Sequence, residues 1–450
     1  GVYAQIYDSA GNAVGSEQQV NSYTYGYQGS SKITALSNGG FVITWESAGQ
    51  IESHGATDDD GYSVHAQIFD ASGDKVGNEF QVNSYTENYQ GDPSISALDD
   101  GGFVITWQSN DPEDDGYDVF AQIYDASGNA VAAPSTNPTP PVNTATVDNP
   151  TGIEFQVNAY TTNSQSSPEV ITLSNGNIVV AWHSSLWAAA ISDTNLHAQL
   201  FDADGNAIGE EQVIIADSYF PTSYLCTIQA LTSGGFIGIY NTDYYDISLQ
   251  LFNDDLTPNG SAVQIDTAYS TSTKYSTYER SYRYDFVITL ENGNFIAADF
   301  NAYIDHPDGG STDSNGYDYQ GYYSVFQTFN ANGDKVGSEF YYDSIDFTVS
   351  NFATSGDNFI ISWSEENSEA LNAQVFNLNG EIVGGLININ WESGDHLFSP
   401  DITTLSNTNF VVTYTSWAQD DDWDNGVYAQ IYDSAGNAVG SEQQVNSYTY

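Results

Sequence analysis

A short strand-like run, centred on the dipeptide Ala-Gln, returns along this chain at intervals that dictate a repeat architecture. It stands at Ala4-Gln5, Ala66-Gln67, Ala121-Gln122, Ala198-Gln199, Ala373-Gln374 and Ala429-Gln430, with Leu249-Gln250 and Phe326-Gln327 as weaker forms. Neighbouring copies lie 47–77 residues apart, and the last falls 425 residues after the first. There the sequence resets: GVYAQIYDSAGNAVGSEQQVNSYTY at residues 1–25 is repeated without change at 426–450. Self-similarity of this period marks stacked or radially arranged supersecondary units, here seven divergent repeats followed by a second copy of the start.

Within a repeat, four runs have strand character. In the first, Ile33–Leu36 leads through Ser-Asn-Gly-Gly into Phe41–Trp45. Tyr62–Phe69, the turn Asp70–Asp74 and a fourth run over Glu79–Tyr85 follow. Aromatic and β-branched runs bounded by Gly, Asn and Asp clusters are strand and hairpin signals. The second run recurs as Phe103–Trp107, Ile178–Trp182, Phe236–Tyr240, Phe295–Asp299, Phe359–Trp363 and Phe410–Tyr414. It is apolar with little alternation, so both faces of its sheet are expected to be covered. The expected fold is all-β: a seven-bladed β-propeller with four antiparallel strands per blade. A linear β-solenoid is the rival, but its coils are shorter and more even in length.

The duplicated ends bear on closure. Residues 1–25 are the third and fourth strands of a blade whose first two, Asp401–Leu405 and Phe410–Trp417, lie at the far end of the sequence. The two copies are interchangeable closers of the seventh blade, and the expectation is a processed chain or a window on a tandem array of 425-residue units. A Pro/Thr-rich stretch over 132–152 holds five of the twelve prolines and has the composition of an extended linker. The expected division is 1–131, blades of one unit or closing strands plus first blades; 132–152, a linker or a long loop on one blade; and 153–450, the remaining blades.

Six Lys and Arg face 60 Asp and Glu, a net charge of −54. Such a surface repels nucleic acid and anionic membranes and suits a saline exterior, where salt screens charge within about 8–10 Å. Cys226 is the single cysteine, so no intrachain disulfide framework is available. No apolar run approaches the roughly 20 residues of a membrane span.

The phrases GGFVITWQS (101–109), DGYDVFAQIYDASGNAV (115–131) and EFQVNSYT (79–86) resemble a repeat of very large secreted bacterial proteins, many of them RTX-type adhesins or other calcium-associated surface proteins. The resemblance is tight over 1–131 and 400–450 and loose over 209–350. It implies an extracellular repeat protein and assigns no catalytic residue.

Acid-rich loops between second and third strands are the strongest local chemical signal. They contain Asp58, Asp59 and Asp60; Asp111, Asp114 and Asp115; and Asp420, Asp421, Asp422 and Asp424. Clustered carboxylates with a nearby Gly suit calcium, which takes six to eight oxygens, though none has the EF-hand spacing; a solvated acidic face is the alternative. The Asp-Ala-Ser-Gly-Asn turn at 125–129 and its relatives read as hairpin connections with an Asx-turn. His65 and His197 occupy a third-strand position held elsewhere by Tyr3, Phe120 and Tyr428, and so read as packing residues. His54, His183, His306 and His396 fall in or near loops of different blades.

Enzyme signatures are sparse. Arg280 and Arg283 are the only arginines, too few for an arginine clamp on a carboxylate, and no nucleophile–base order stands out. Among 60 acids, no carboxylate pair for glycosidic cleavage can be chosen. Trp187, Trp391, Trp417 and Trp423 lie where they could stack on sugars, whereas Trp45, Trp107, Trp182 and Trp363 end second strands and read as core. The functional expectation is a non-catalytic unit of a fibre, stalk or surface adhesin, with structural calcium and with copies of itself, covalent or strand-exchanged, as partners. A glycan-binding propeller is the alternative, and a polysaccharide-acting enzyme a further one.

Overall fold

The computed structural model describes residues 1–8, 13–48, 61–85, 88–110, 116–131, 154–161, 164–185, 193–219, 227–241, 247–264, 284–290, 293–305, 320–343, 347–355, 358–365, 371–389, 396–405, 409–417 and 425–445. They form thirty strands and, among the described residues, no helix. β1 (Tyr3–Tyr7) and β2 (Ala13–Gln19) make a two-stranded sheet. Seven four-stranded antiparallel sheets follow as propeller blades. Blade 1 is β3 (Gln28–Ala35), β4 (Phe41–Ala48), β5 (Tyr62–Phe69) and β6 (Lys75–Gln81). Blade 2 is β7 (Gln90–Ala97), β8 (Phe103–Asn110), β9 (Tyr117–Tyr124) and β10 (Phe155–Gln156). Blade 3 is β11 (Ser164–Thr172), β12 (Ile178–Ser185), β13 (Asp193–Phe201) and β14 (Ala207–Tyr219).

Blade 4 is β15 (Thr227–Ala230), β16 (Phe236–Asn241), β17 (Ile247–Phe252) and β18 (Val263–Gln264); blade 5 is β19 (Tyr284–Thr289), β20 (Phe295–Asp305), β21 (Gln320–Phe329) and β22 (Lys335–Asp343). Blade 6 is β23 (Phe347–Ser355), β24 (Asn358–Glu365), β25 (Leu371–Asn377) and β26 (Ile382–Ile389), and blade 7 is β27 (His396–Thr404), β28 (Phe410–Trp417), β29 (Asn425–Tyr432) and β30 (Ala438–Gln444). The chain falls into two compact units, one of residues 1–4, 18–244 and 251–261 and the other of 5–17, 245–250 and 262–450. Blades 1–3 belong to the first and blades 5–7 to the second.

The duplicated ends take different places. The copy at 426–450 supplies β29 and β30, completing blade 7 beside β28. The copy at 1–25 supplies the separate β1–β2 sheet, whose Val2 and Val20 pack on Ile43, Trp45 and Phe69 of blade 1. Residues 132–153 lie outside the described residues; their flanks join one sheet, since Phe155 and Gln156 of β10 pair with Ala121 and Phe120 of β9.

The apolar second strands are buried on both faces, as their sequence requires. Trp45, Trp107 and Trp182 are all at most 1% exposed, and Trp363 is 3% exposed. Each cluster of buried side chains draws on two neighbouring sheets; one joins Leu36, Val64 and Ile68 of blade 1 to Phe103, Ile105 and Trp107 of blade 2. Burying one such side chain is worth roughly 1.5–3 kcal/mol, so the junctions between blades hold much of the stability.

The recurring glutamine has a defined task. Pairing between third and fourth strands shifts register around it, as between Ala66 and Ile68, and the fourth strand carries a glycine at positive φ there, Gly77 at 72° and Gly440 at 76°. A bulge of this kind leaves ladder groups unpaired. The glutamine amide supplies the missing donors: Gln67 Nε2 donates to the carbonyls of Ile68 and Val76 at 2.9 and 3.4 Å. Gln122 does the same toward Ile123 and Val131 at 2.8 and 3.1 Å, and Gln430 toward Ile431 and Val439 at 2.8 and 3.3 Å. The fourth strand of blade 1 thus begins at Lys75, directly after the turn, and not at Glu79 as the sequence pattern suggested; the bulge disguises its period.

The hairpin turns are Asx-turns. Asp125 Oδ1 accepts the N–H groups of Ser127 and Asn129, both at 2.9 Å. Desolvation is the largest single influence on its carboxyl and raises it, but the Asn129 side-chain bond and these two N–H bonds together prevail and hold it below the ordinary range. Asp433 repeats the pattern with Ala435 and Asn437.

The Glu-x-x-Val-Asn phrase fastens blade to blade. Asn83 Oδ1 accepts the Val64 N–H at 2.8 Å while its Nδ2 donates to the Tyr85 carbonyl at 2.6 Å, closing the exit of blade 1. The freed N–H of the next residue, Ser84, is accepted at 2.6 Å by Glu154, at the outer strand of blade 2. Glu211 in β14 likewise accepts the N–H groups of Ala159 and Tyr160, and Glu79 in β6 that of Ser22.

Candidate functional site

The first strand of each of the first three blades contains a bulge at which a residue other than glycine takes positive φ: Ser30 at 50°, Asp92 at 50° and Ser167 at 52°. In blades 2 and 3 the turned-out N–H of this residue leaves its own ladder and is accepted by the preceding blade. Gln108 Oε1, directly after the buried Trp107, accepts the Ser167 N–H at 2.9 Å. Glu46 Oε1, directly after Trp45, accepts the Asp92 N–H at 2.7 Å. A neutral glutamine makes this clamp, and serine fits the bulge twice, so the fold calls for no charge at either place. At the junction of blades 1 and 2 the sequence nonetheless sets two carboxylates together, Glu46 and Asp92.

Glu46 is buried and Asp92 exposed. The Tyr89 hydroxyl donates to the same Glu46 oxygen at 3.0 Å. Gly91 permits this approach: a Cβ there would stand 2.2 Å from the Tyr89 hydroxyl and 2.6 Å from Glu46 Oε1. Desolvation by the surrounding protein, then the charge of Glu46, push the Asp92 carboxyl above the ordinary range, with Lys32 opposing. Desolvation and the charges of Asp92 and Glu46 also raise the Tyr89 phenol far above its usual value. Tyr89 therefore stays a hydrogen-bond donor, and Asp92 keeps its proton to a higher pH than a free aspartate.

Tyr89 is one member of a row. Tyr27, just before β3, lies 6.0 Å from Tyr62 at the start of β5; Tyr62 lies 5.3 Å from Tyr89, and Tyr89 5.8 Å from Tyr117 at the start of β9. All four stand where first and third strands begin, on one side of the two blades. Tyr27 is 51% exposed and the others are half-buried. Each ring offers an apolar face and a polar rim, and the carboxylate pair sits beside the third ring.

A second polar cluster lies in a shallow cavity of about 310 Å³ against β5 and β6. Here His65 Nδ1 lies 3.3 Å from Glu79 and Lys75 Nζ donates to the Val20 carbonyl at 2.9 Å. These groups all serve the attachment of the β2 exit to blade 1. His65 and His197 are packing residues, as their positions implied: His65 stacks on Trp45 at 6.1 Å, as Phe120 does on Trp107 at 6.2 Å, and His197 lies tilted against Trp182 at 5.9 Å. His183 lies within β12 and not in a loop, and burial lowers its pKa to about 4.

The acidic loops fall outside the described residues: Asp58, Asp59, Asp60, Asp111, Asp114, Asp115, Asp420, Asp421, Asp422 and Asp424. So do Trp187, Trp391 and Trp423. Among the described residues, no group of three or more His, Cys, Asp or Glu side chains is placed to hold a metal ion, and no helix is long and apolar enough to cross a membrane. The tyrosine row and the Glu46–Asp92 pair escaped the sequence reading. Their signal was slight: an acid after the tryptophan of blade 1, where other blades have Gln108, His183 or Ser364, and Asp92 at a bulge that holds Ser30 and Ser167 elsewhere.

No family model matches the chain, and no curated protein matches it. Solved structures are similar to it in fold. A polysaccharide lyase shares 10% identity at a TM-score of 0.47 over 89% of each chain. An α-L-arabinanase of Penicillium chrysogenum shares 16% at 0.36, over 76% of this chain and 92% of that one. The β-propeller domain of the trilobed protease of Pyrococcus furiosus shares 9% at 0.38, over 80% and 96%. The propeller architecture is thus common ground, while the resemblance to adhesin repeats gains no family match. The expectation of a non-catalytic fibre or adhesin unit is corrected: the similar structures include polysaccharide-cleaving enzymes.

Proposed function

We propose that this propeller binds a polysaccharide along the Tyr27–Tyr62–Tyr89–Tyr117 row and acts on it with the carboxyl groups at the blade 1–blade 2 junction. The observation that carries the reading is the row itself, four tyrosines at centroid spacings of 5.3–6.0 Å running past a carboxylate pair. Sugar rings present C–H faces that stack on such rings and hydroxyls that meet phenols and carboxylates. A carboxyl group that holds its proton upward of the ordinary range is suited to protonate a leaving oxygen, while an ionised neighbour offers a base. Asp92 fills the first description. The similar polysaccharide lyase and arabinanase agree with a sugar-polymer substrate. The resemblance of the repeats to those of large secreted proteins supports placing the proposed activity outside the cell.

The test is affinity electrophoresis through gels containing single polysaccharides, paired with an assay for newly released chain ends. Tyr62→Ala is expected to abolish retardation, and Asp92→Asn to keep retardation while losing chain-end release. Retardation unchanged by Tyr62→Ala would overturn the reading.

A further inference from the structure

We infer that the polymer accepted by this row is uncharged, and that the Glu46–Asp92 pair excludes polymers of uronic acids. The inference rests on the proposed glycan binding at the same site. Glu46 is buried, its carboxylate fixed by the Tyr89 hydroxyl and the Asp92 N–H, so it cannot swing away from an approaching anion. Asp92 stands exposed beside it, at a bulge that fixes its backbone. Lys32 is the cation that bears on Asp92; with Asp92 holding the proton that its proposed role requires, the site offers a polyanion no net positive charge. The whole chain adds −54, a field that lowers the local concentration of any polyanion.

The chemistry of uronate cleavage points the same way. Eliminating a substituent from a uronate requires that its carboxylate be neutralised as the neighbouring carbon loses its proton, work done by a cation or a firm donor array. At this junction a single lysine, Lys32 beside Asp92, stands among phenols and carboxyl groups in place of a donor array. Cleavage of an uncharged polymer requires only an acid and a base.

The fold supplies a variant that isolates charge from shape. Gln108 makes in the next blade the clamp that Glu46 makes here, so Glu46→Gln keeps the bond to the Asp92 N–H while removing the carboxylate.

The experiment is binding of the full chain to an array of immobilised uncharged polymers (xylan, arabinan, β-glucan) and uronate polymers (alginate, polygalacturonate). It is run at about 0.01 M and about 1 M salt, where the screening lengths are roughly 30 and 3 Å. The expected result is retention by uncharged polymers at both salt levels, with uronate polymers bound at least about tenfold more weakly at low salt, the equivalent of about 1.4 kcal/mol. Glu46→Gln narrows that gap. Strongest retention by a uronate polymer at low salt would overturn the inference and leave glycan binding standing. No retention by any polymer, with Tyr62→Ala indistinguishable from wild type, would remove both.

Discussion

Glu46 Oε1 accepts the backbone N–H of Asp92 at 2.7 Å, and this one bond is both a fastening between blades and the base of the candidate site. Its counterpart, Gln108 to Ser167, does the fastening alone.

Replacing Glu46 with Gln therefore leaves the fold intact and shifts Asp92. Because Asp92 binds its proton more tightly in the folded state than in the unfolded one, ionising it costs stability as pH rises through its raised range. Removing the Glu46 charge reduces that cost and leaves desolvation as the remaining cause. Carboxyl carbon NMR should show Asp92 titrating closer to its ordinary 3.8 in the variant. An unchanged titration would mean that Glu46 is not a cause.

Gly91→Ala tests the packing of Tyr89. The added methyl meets the Tyr89 hydroxyl and Glu46, so the ring must leave its place in the row. The fold loses a charge-assisted hydrogen bond worth about 1.5–3 kcal/mol, read by urea unfolding, and polysaccharide retardation falls with it. Gly15→Ala, where a Cβ meets nothing, carries only the cost of positive φ at 76°, about 1–2 kcal/mol.

The bulge glutamines offer a test of the repeat itself. Gln122→Leu removes the donors to the Ile123 and Val131 carbonyls inside a nearly closed environment. The Ile123 carbonyl keeps the Val131 N–H at 2.8 Å, so the acceptor left without a donor is the Val131 carbonyl, at a cost of about 1–3 kcal/mol. A loss of less than about 0.5 kcal/mol in chemical denaturation would show that the glutamine is not what holds the bulge.

Much of this was legible beforehand. The Ala-Gln spacing and the apolar second strands specified seven blades of four strands, because a sheet covered on both faces needs neighbours on both sides. The hairpin aspartates were readable as Asx-turns, since their geometry is local. The candidate site was hidden for the opposite reason. Tyr27, Tyr62, Tyr89 and Tyr117 are 90 residues apart from first to last, and Glu46 meets Asp92 only through the packing of one blade on the next. With 60 acids, composition could not single out that pair, and the position after the tryptophan varies from blade to blade (Glu46, Gln108, His183, Ser364), so only Asp92 at the bulge stands out from Ser30 and Ser167.

The outer glutamates carry a pH signature. Burial opposes ionisation of Glu211, but its bonds to His197 and to the N–H groups of Tyr160 and Ala159 prevail and lower its pKa from 4.5. A lowered carboxyl contributes stability that is present above the unfolded value and is lost as pH falls through the folded one. Glu154 lacks a histidine partner, and there burial wins and its pKa is raised. Glu211→Gln should thus destabilise the protein at neutral pH, and the deficit should shrink below about pH 4.5. A deficit constant with pH would contradict the assignment.

The most direct test of the account is to record the ring resonances of isotope-labelled tyrosines while titrating the full chain with a soluble uncharged polysaccharide fragment. The expected result is that Tyr27, Tyr62, Tyr89 and Tyr117 shift together, saturate at one ligand concentration, and lose the response in Tyr62→Ala. Saturable shifts confined to tyrosines elsewhere, or no shifts with any polymer that the chain binds, would contradict it.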